Sequence, residues 1–335
     1  MGDYTRQESI GYLNERTGHT DQAGADAVAE ALGDLPLALA QAATVITSRG
    51  LTYARYVDLL TTTTLPTALP AAPGSGYPRG LAEAITLSVS AAIETDPRTK
   101  TVLDVLSVLD PGGISRDTLT RLLLHAPGGR RRWWHRRRPR QALRSAAEVE
   151  DVVAALVAAS LITRTVEGTA VVMHRLIGRV VRESGPPGVL DTVLTGLAPA
   201  VVGLLPAPGA PPPPEVVAEI AAQTVALLDH GAHPIRPTPT VVAITATATT
   251  IGLWLYQVGA YTPMVTISEL VLAASERVLG PEHPDTLASR NNLAAGYRAV
   301  GRHQDAITLD EQTLTTRERV LGPDHPDTLQ SRNNL

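Results

Sequence analysis

The sequence predicts a mainly α-helical protein with one small β-hairpin and, at its end, a solenoid of paired helices. Residues 276–293 and 318–335 agree at 16 of 18 positions at a spacing of 42. A fixed spacing of this size is typical of stacked helical repeats. Upstream, apolar residues recur at helical spacing, and only 161–166 and 170–173 read as short strands around a Glu-Gly-Thr turn.

Composition sets limits on domain count and chemistry. The 335 residues allow two or three domains, and 44% apolar residues is ordinary for a soluble protein. Because the sequence contains no cysteine, no disulfide or thiolate metal site can form. Phenylalanine is also absent, and lysine occurs only at Lys100. The net charge of −4 argues against generic nucleic-acid binding. No signal-peptide pattern opens the chain, and we expect a cytoplasmic protein without a cofactor or metal of its own.

The first domain is predicted over residues 1–60 as a helical block, with helices at 4–16, 21–48 and 53–60. Pro36 interrupts the second of these apolar runs, so a helix should end before it and a new one begin there. Residues 61–79 are rich in Thr, Pro, Ala and Gly and are predicted to be a linker.

A second domain is predicted over residues 80–185. It should hold four helices, then the hairpin, then a closing helix that begins at His174; the four helices are expected at 81–93, 96–109, 115–124 and 145–160. Residues 186–239 should contain two apolar helices of unclear assignment, 189–203 and 215–229, around the proline-rich stretch 204–214.

The repeats are predicted over residues 240–335, with two helices in each unit. Asp285 is the expected N-cap of one helix, and Gly-Pro pairs at 280–281 and 322–323 should end the helices before them. No charged residue lies between Arg236 and Glu269. Threonines and prolines dilute this stretch, which favours a repeat helix over a membrane span. Because Leu335 falls inside a repeat helix, we expect the array to be truncated at its C-terminus.

Leu293, Ala294 and Tyr297 fit the L-G-x2-Y part of the tetratricopeptide repeat signature. The 42-residue unit resembles the tetratricopeptide repeats of kinesin light chains and of many bacterial signalling proteins. The resemblance implies a protein or peptide ligand in an inner groove. Candidate groove residues are Arg290, Asn291, Arg298, Arg332 and Asn333, although an ordinary solvated helix face is an equal alternative. Self-association through the truncated repeat is a further expectation.

A second resemblance rests on Gly33-Asp34-Leu35-Pro36-Leu37-Ala38-Leu39 and on Met173-His174. With the predicted helices and hairpin, residues 1–185 resemble the C-terminal part of STAND signalling ATPases with an NB-ARC core: a helical lid followed by a winged helix. The resemblance implies that Pro36 contacts adenine and His174 the phosphate side of ADP in the full-length parent. Arg175 stands where the family has Asp, which puts the usual latch in doubt.

A P-loop needs Gly-x4-Gly-Lys-Ser/Thr, and this sequence has none. We therefore predict a non-catalytic regulatory fragment of a STAND-type protein, without its nucleotide-binding core, that binds other proteins through its repeats. The alternative is a DNA-binding regulator that uses the winged helix and residues 130–144, where eight arginines surround Trp133 and Trp134. A solvated insertion would give the same composition.

Overall fold

The computed structural model describes residues 4–69, 81–125, 143–207, 211–231 and 238–335. The predicted fold class is confirmed, because helices dominate, the hairpin is small, and adjacent helices stack at the C-terminus. In chain order the elements are α1 (Arg6–Thr17), α2 (Gln22–Leu32), α3 (Pro36–Arg49), α4 (Tyr53–Thr62), α5 (Leu65–Ala68), α6 (Leu81–Thr95), α7 (Thr99–Leu106), β1 (Ile114–Ser115), α8 (Arg116–His125), α9 (Ala146–Ala158), β2 (Thr163–Arg164), β3 (Ala170–Val172), α10 (Arg175–Ser184), α11 (Val189–Val202), α12 (Pro214–Gly231), α13 (Thr238–Gln257), α14 (Tyr261–Leu279), α15 (Pro284–Ala299), α16 (His303–Leu321) and α17 (Pro326–Asn334).

The chain divides into two compact units. The first comprises residues 1–107, 111–113 and 145–187, and the second comprises 108–110, 114–144 and 188–335. The boundary near residue 187 lies close to the predicted one at 185. The predicted helical block and most of the predicted second domain share the first unit, whereas α8 belongs to the second.

A core cluster in the first unit takes side chains from helices that are far apart in sequence. Leu13, Leu39 and Tyr56 are buried beside Leu176 and Val180 of α10. Burying side chains of this size contributes about 1.5–3 kcal/mol each.

The predicted linker at 61–79 is wrong for its first part. Residues 65–68 form α5, and Leu65, Ala68 and Leu69 are buried in the core of the first unit. The Thr- and Pro-rich composition of this segment is typical of a linker, but its apolar residues pack against that core as a short helix. Residues 70–80 lie outside the described part of the chain.

The predicted hairpin is present but shorter than expected. β2 and β3 pair antiparallel, with Thr163 opposite Val172 and Arg164 opposite Val171. Gly168 has φ = 69° in the connecting turn, a conformation that glycine adopts without strain. His174 follows β3 directly and is the N-cap of α10.

The second unit stacks its helices in pairs. Each helix from α13 to α16 packs against the helix that follows it. In addition, α11 packs against α13 and α12 packs against α14, so α11 and α12 occupy the place of a pair that precedes the repeats. The sequence left these two helices unassigned; only their packing places them in the stack.

α13 is the described helix that is long and apolar enough to cross a membrane, with a mean hydropathy of 1.3 over its most apolar window. Half of that window is buried within the protein. This burial is that of a core helix, and it agrees with the repeat helix that the sequence favours.

The cap of α15 differs from the prediction. His283, not Asp285, is the N-cap: its Nδ1 accepts a hydrogen bond from the backbone N–H of Asp285 at 3.2 Å. Pro284 takes the first helical position, where no N–H is needed, and Asp285 lies in the first turn. His325 repeats this arrangement at α17.

Candidate functional site

A pocket opens between α13 and α15, with α14 as its floor. It is a shallow, partly open depression with room for a group about the size of a water molecule. Its lining comes from all three helices and consists of Ala248, Thr249, Gly252, Leu253, Met264, Ser268, Val271, Ser289 and Asn292. Most of these side chains are small or apolar, and none is charged, so the pocket suits an uncharged group.

The hydroxyls in this lining are partly used within their own helices. Thr249 donates to the carbonyl of Thr245 at 2.8 Å, and Ser289 donates to the carbonyl of Asp285 at 2.8 Å. Within the described part of the chain, the side-chain amide of Asn292 has no hydrogen-bonding partner. A side-chain amide can donate one hydrogen bond and accept another. It can therefore pair with both the carbonyl and the N–H of a bound peptide backbone.

Two of the predicted groove residues form ion pairs between successive helices. Arg290 on α15 bonds Glu276 on α14, with Nη2 and Oε1 2.6 Å apart, and only 12% of the Arg290 side chain is exposed. Arg332 on α17 makes the same 2.6 Å contact with Glu318 on α16. The guanidinium groups of this pair of arginines are therefore committed to helix packing.

The other three predicted groove residues are also separate from the pocket. Arg298 forms an ion pair with Asp310, whose carboxylate is almost fully buried. Asn291 accepts a hydrogen bond from Asn334, and Asn333 is exposed. The structure does not gather the five candidates at one place; the neighbour of one of them, Asn292, lines the pocket instead.

The first unit brings together the two motif segments that carry the STAND resemblance. The Nδ1 of His174 accepts the N–H of Leu176 at 3.2 Å, so Nε2 carries the proton and donates to the carbonyl of Gly33 at 3.0 Å. A Cβ at Gly33 would lie 2.5 Å from that Nε2, so glycine is required there. Pro36 opens α3 three residues later.

An ion network surrounds the same loop. Arg6 contacts Asp34 at 3.0 Å and Glu30 at 2.5 Å, and Arg175 contacts both the carboxylate and the main-chain carbonyl of Glu30. The hydrogen bond from Arg175, followed by that from Arg6, lowers the pKa of Glu30. Asp34 has φ = 57°, a left-handed conformation uncommon for a residue with a Cβ.

α10 supplies polar partners to the ends of several other helices. Arg179 donates to the carbonyl of Thr63 at 2.7 Å, at the end of α4, and the carboxylate of Glu183 accepts the N–H of Leu65 at 2.8 Å, at the start of α5. Arg182 bonds the carbonyl of Ser107 at the end of α7. Helix ends leave such backbone groups without partners, so α10 joins the helical block to the following helices.

Pro36 and His174 are thus neighbours of one loop, and both nitrogens of His174 are used by the protein itself. Their contact with a nucleotide stays a prediction. Within the described ranges, no group of three or more metal-binding side chains comes together. Residues 130–142 of the arginine- and tryptophan-rich segment lie outside the described residues, so the DNA-binding alternative also stays a prediction.

Two families match the sequence. The tetratricopeptide repeat family matches residues 245–285 and 286–327, which confirms the repeat part of the prediction. A domain family of unknown function, DUF7779, matches residues 91–185, from within α6 to the residue after α10. No curated protein matches the chain. These matches leave the STAND resemblance of residues 1–185 as a prediction.

Proposed function

We propose that this protein is a non-catalytic scaffold that binds a segment of a partner protein in the groove of its tetratricopeptide repeats. Tetratricopeptide repeats are protein-interaction units. The observation that carries the proposal is the uncharged pocket between α13 and α15, which is lined by the amide of Asn292, a group without a hydrogen-bonding partner among the described residues.

The first unit acts in this proposal as the regulatory part of a STAND-type protein. The support is the sequence of Gly33–Leu39, the Met-His pair at 173–174, and the hydrogen bond that joins the two segments. The nucleotide-binding core of such a regulator, with its ADP or ATP, is not encoded in this sequence, because the P-loop pattern does not occur in it.

A peptide-display selection on the full chain tests the binding proposal. The wild type should enrich peptides from a random library, and Asn292→Ala should reduce that enrichment about tenfold or more, since a lost buried hydrogen bond costs about 1–2 kcal/mol. Asn333→Ala is the matched control, because Asn333 is exposed and does not line the pocket. No enrichment by the wild type, or equal loss in both variants, would contradict the proposed function.

A further inference from the structure

The solvent-facing side of α13 carries no charge along its whole length. Its side chains form the α13 stripe, which consists of Val242, Ala246, Thr249, Thr250, Leu253 and Tyr256. Of these, Leu253 is 48% exposed and Tyr256 is 44% exposed. The water-facing side of a helix in a soluble protein is normally polar and charged. An uncharged, partly apolar face therefore points to a surface that a binding partner covers.

The α13 stripe and the pocket form one surface, because Thr249 and Leu253 belong to both. We call this surface the α13 groove. Beyond the pocket, the ring of Tyr256 packs edge-on against that of Tyr261 at 5.5 Å, which adds an aromatic end to the groove. Tyr261 is itself 37% exposed.

In the next repeat, charged residues occupy positions that are uncharged in the α13 groove. Tyr256 and Ser268 correspond, at the 42-residue spacing, to Arg298 and Asp310. Arg298 and Asp310 form an ion pair with each other, and the carboxylate of Asp310 is buried. Met264 corresponds to Ala306, so the large apolar floor side chain is also lost. The apolar character is thus particular to the first repeat and not a general property of the array.

We propose, resting on the proposed function, that the α13 groove binds an extended, uncharged segment of a partner protein. One large apolar side chain of that segment packs on the exposed side chain of Leu253, over the mouth of the pocket. The amide of Asn292 pairs with the main chain of the segment. A carboxylate or ammonium group would lose its water there and find no opposite charge, because no lining residue of the pocket is charged.

The experiment determines the sequences of the peptides that the wild type selects and the salt dependence of their binding. Selected peptides should lack charge around one fixed large apolar position, and changing that residue to Ala should weaken binding about tenfold or more. Affinity should change less than about twofold between 50 and 500 mM salt, since no ion pair forms.

Two variants test the groove itself. The double variant Tyr256→Arg, Ser268→Asp introduces at the pocket the ion pair that the next repeat has. The fold should tolerate this pair, because the next repeat already contains it. The site is then no longer apolar, and the selected peptides should no longer bind. Ile307→Asp is the control, because Ile307 is 41% exposed on α16, outside the groove. Its binding should equal that of the wild type, and circular dichroism checks that each variant is folded.

Other outcomes separate this inference from the proposed function. Selection of acidic or basic peptides, with binding that falls about tenfold in salt, overturns the inference but leaves peptide binding in place. A wild-type dimer that Leu253→Asp converts to a monomer also overturns it, because a second copy then covers the groove. No enrichment of any peptide means that the proposed function itself has failed.

Discussion

Replacing His174 by Ala should destabilise the first unit without any nucleotide being present. The imidazole makes two hydrogen bonds, to the N–H of Leu176 and to the carbonyl of Gly33. Loss of a helix N-cap costs about 1 kcal/mol, and loss of a partly buried hydrogen bond costs about 1 kcal/mol more. We therefore expect His174→Ala to cost about 2 kcal/mol.

His174→Asn is the matched variant. Asparagine is a good N-cap, so the bond to Leu176 should be kept and only the bond to Gly33 lost, at a cost of about 1 kcal/mol. Because the chain has two units, a single unfolding midpoint would mix their transitions. Hydrogen exchange of the backbone amides in 33–35 and 174–178 reports on the site directly, and the protection of these amides should fall in the order wild type, Asn, Ala.

Unchanged exchange in His174→Ala would refute this reasoning, because the two hydrogen bonds would then contribute nothing. The same measurement tests the nucleotide role that the family resemblance implies. ADP added to the wild type should leave exchange at these amides unchanged, since both ring nitrogens already have protein partners. Slower exchange with ADP in the wild type but not in His174→Ala would contradict this expectation and would support a nucleotide contact at His174.

Two further predictions concern buried hydroxyls and pH. The hydroxyls of Thr286 and Thr328 are buried without a hydrogen-bonding partner among the described residues. Changing either to Val should raise stability in urea by about 0.5–1 kcal/mol, whereas Thr313→Val should lower it, because Thr313 donates to Leu309 at 2.7 Å. The pKa of Glu30 is lowered in the folded state, so its contribution is present above the ordinary value of 4.5 and is lost as pH falls through the folded pKa. Glu30→Gln should therefore cost up to about 1 kcal/mol at pH 7 and less at acidic pH in urea titrations; equal costs at both would contradict the ion-pair account.

Local signals in the sequence predicted most helices because caps and apolar spacing are local properties. Pro36 starts a helix as expected, and Gly280 and Gly322 end theirs with positive φ. Predictions failed where tertiary contacts decide. Leu65 and Leu69 are buried only because the first unit packs around them, and a Thr- and Pro-rich composition does not show that.

The functional residues were harder to predict than the fold. Asn291 and Asn292 are adjacent and chemically identical, and only the way that α15 packs on α14 determines which of them lines the pocket. The sequence also predicts Asp285 as the cap of α15, because aspartate is a common N-cap residue and histidine is not. In the structure, the imidazole accepts the N–H and the carboxylate lies in the first turn.

The internal repeat separates the residues that hold the array together from those that give it a specific surface. Arg290 and Glu276 recur 42 residues on as Arg332 and Glu318, with the same 2.6 Å contact, so identical positions brace successive helices. The pocket lining changes instead, because Ser268 becomes Asp310 and Met264 becomes Ala306 in the next repeat. The apolar character of the α13 groove therefore depends on positions where the copies differ, such as Leu253 and Met264, which become Ala295 and Ala306.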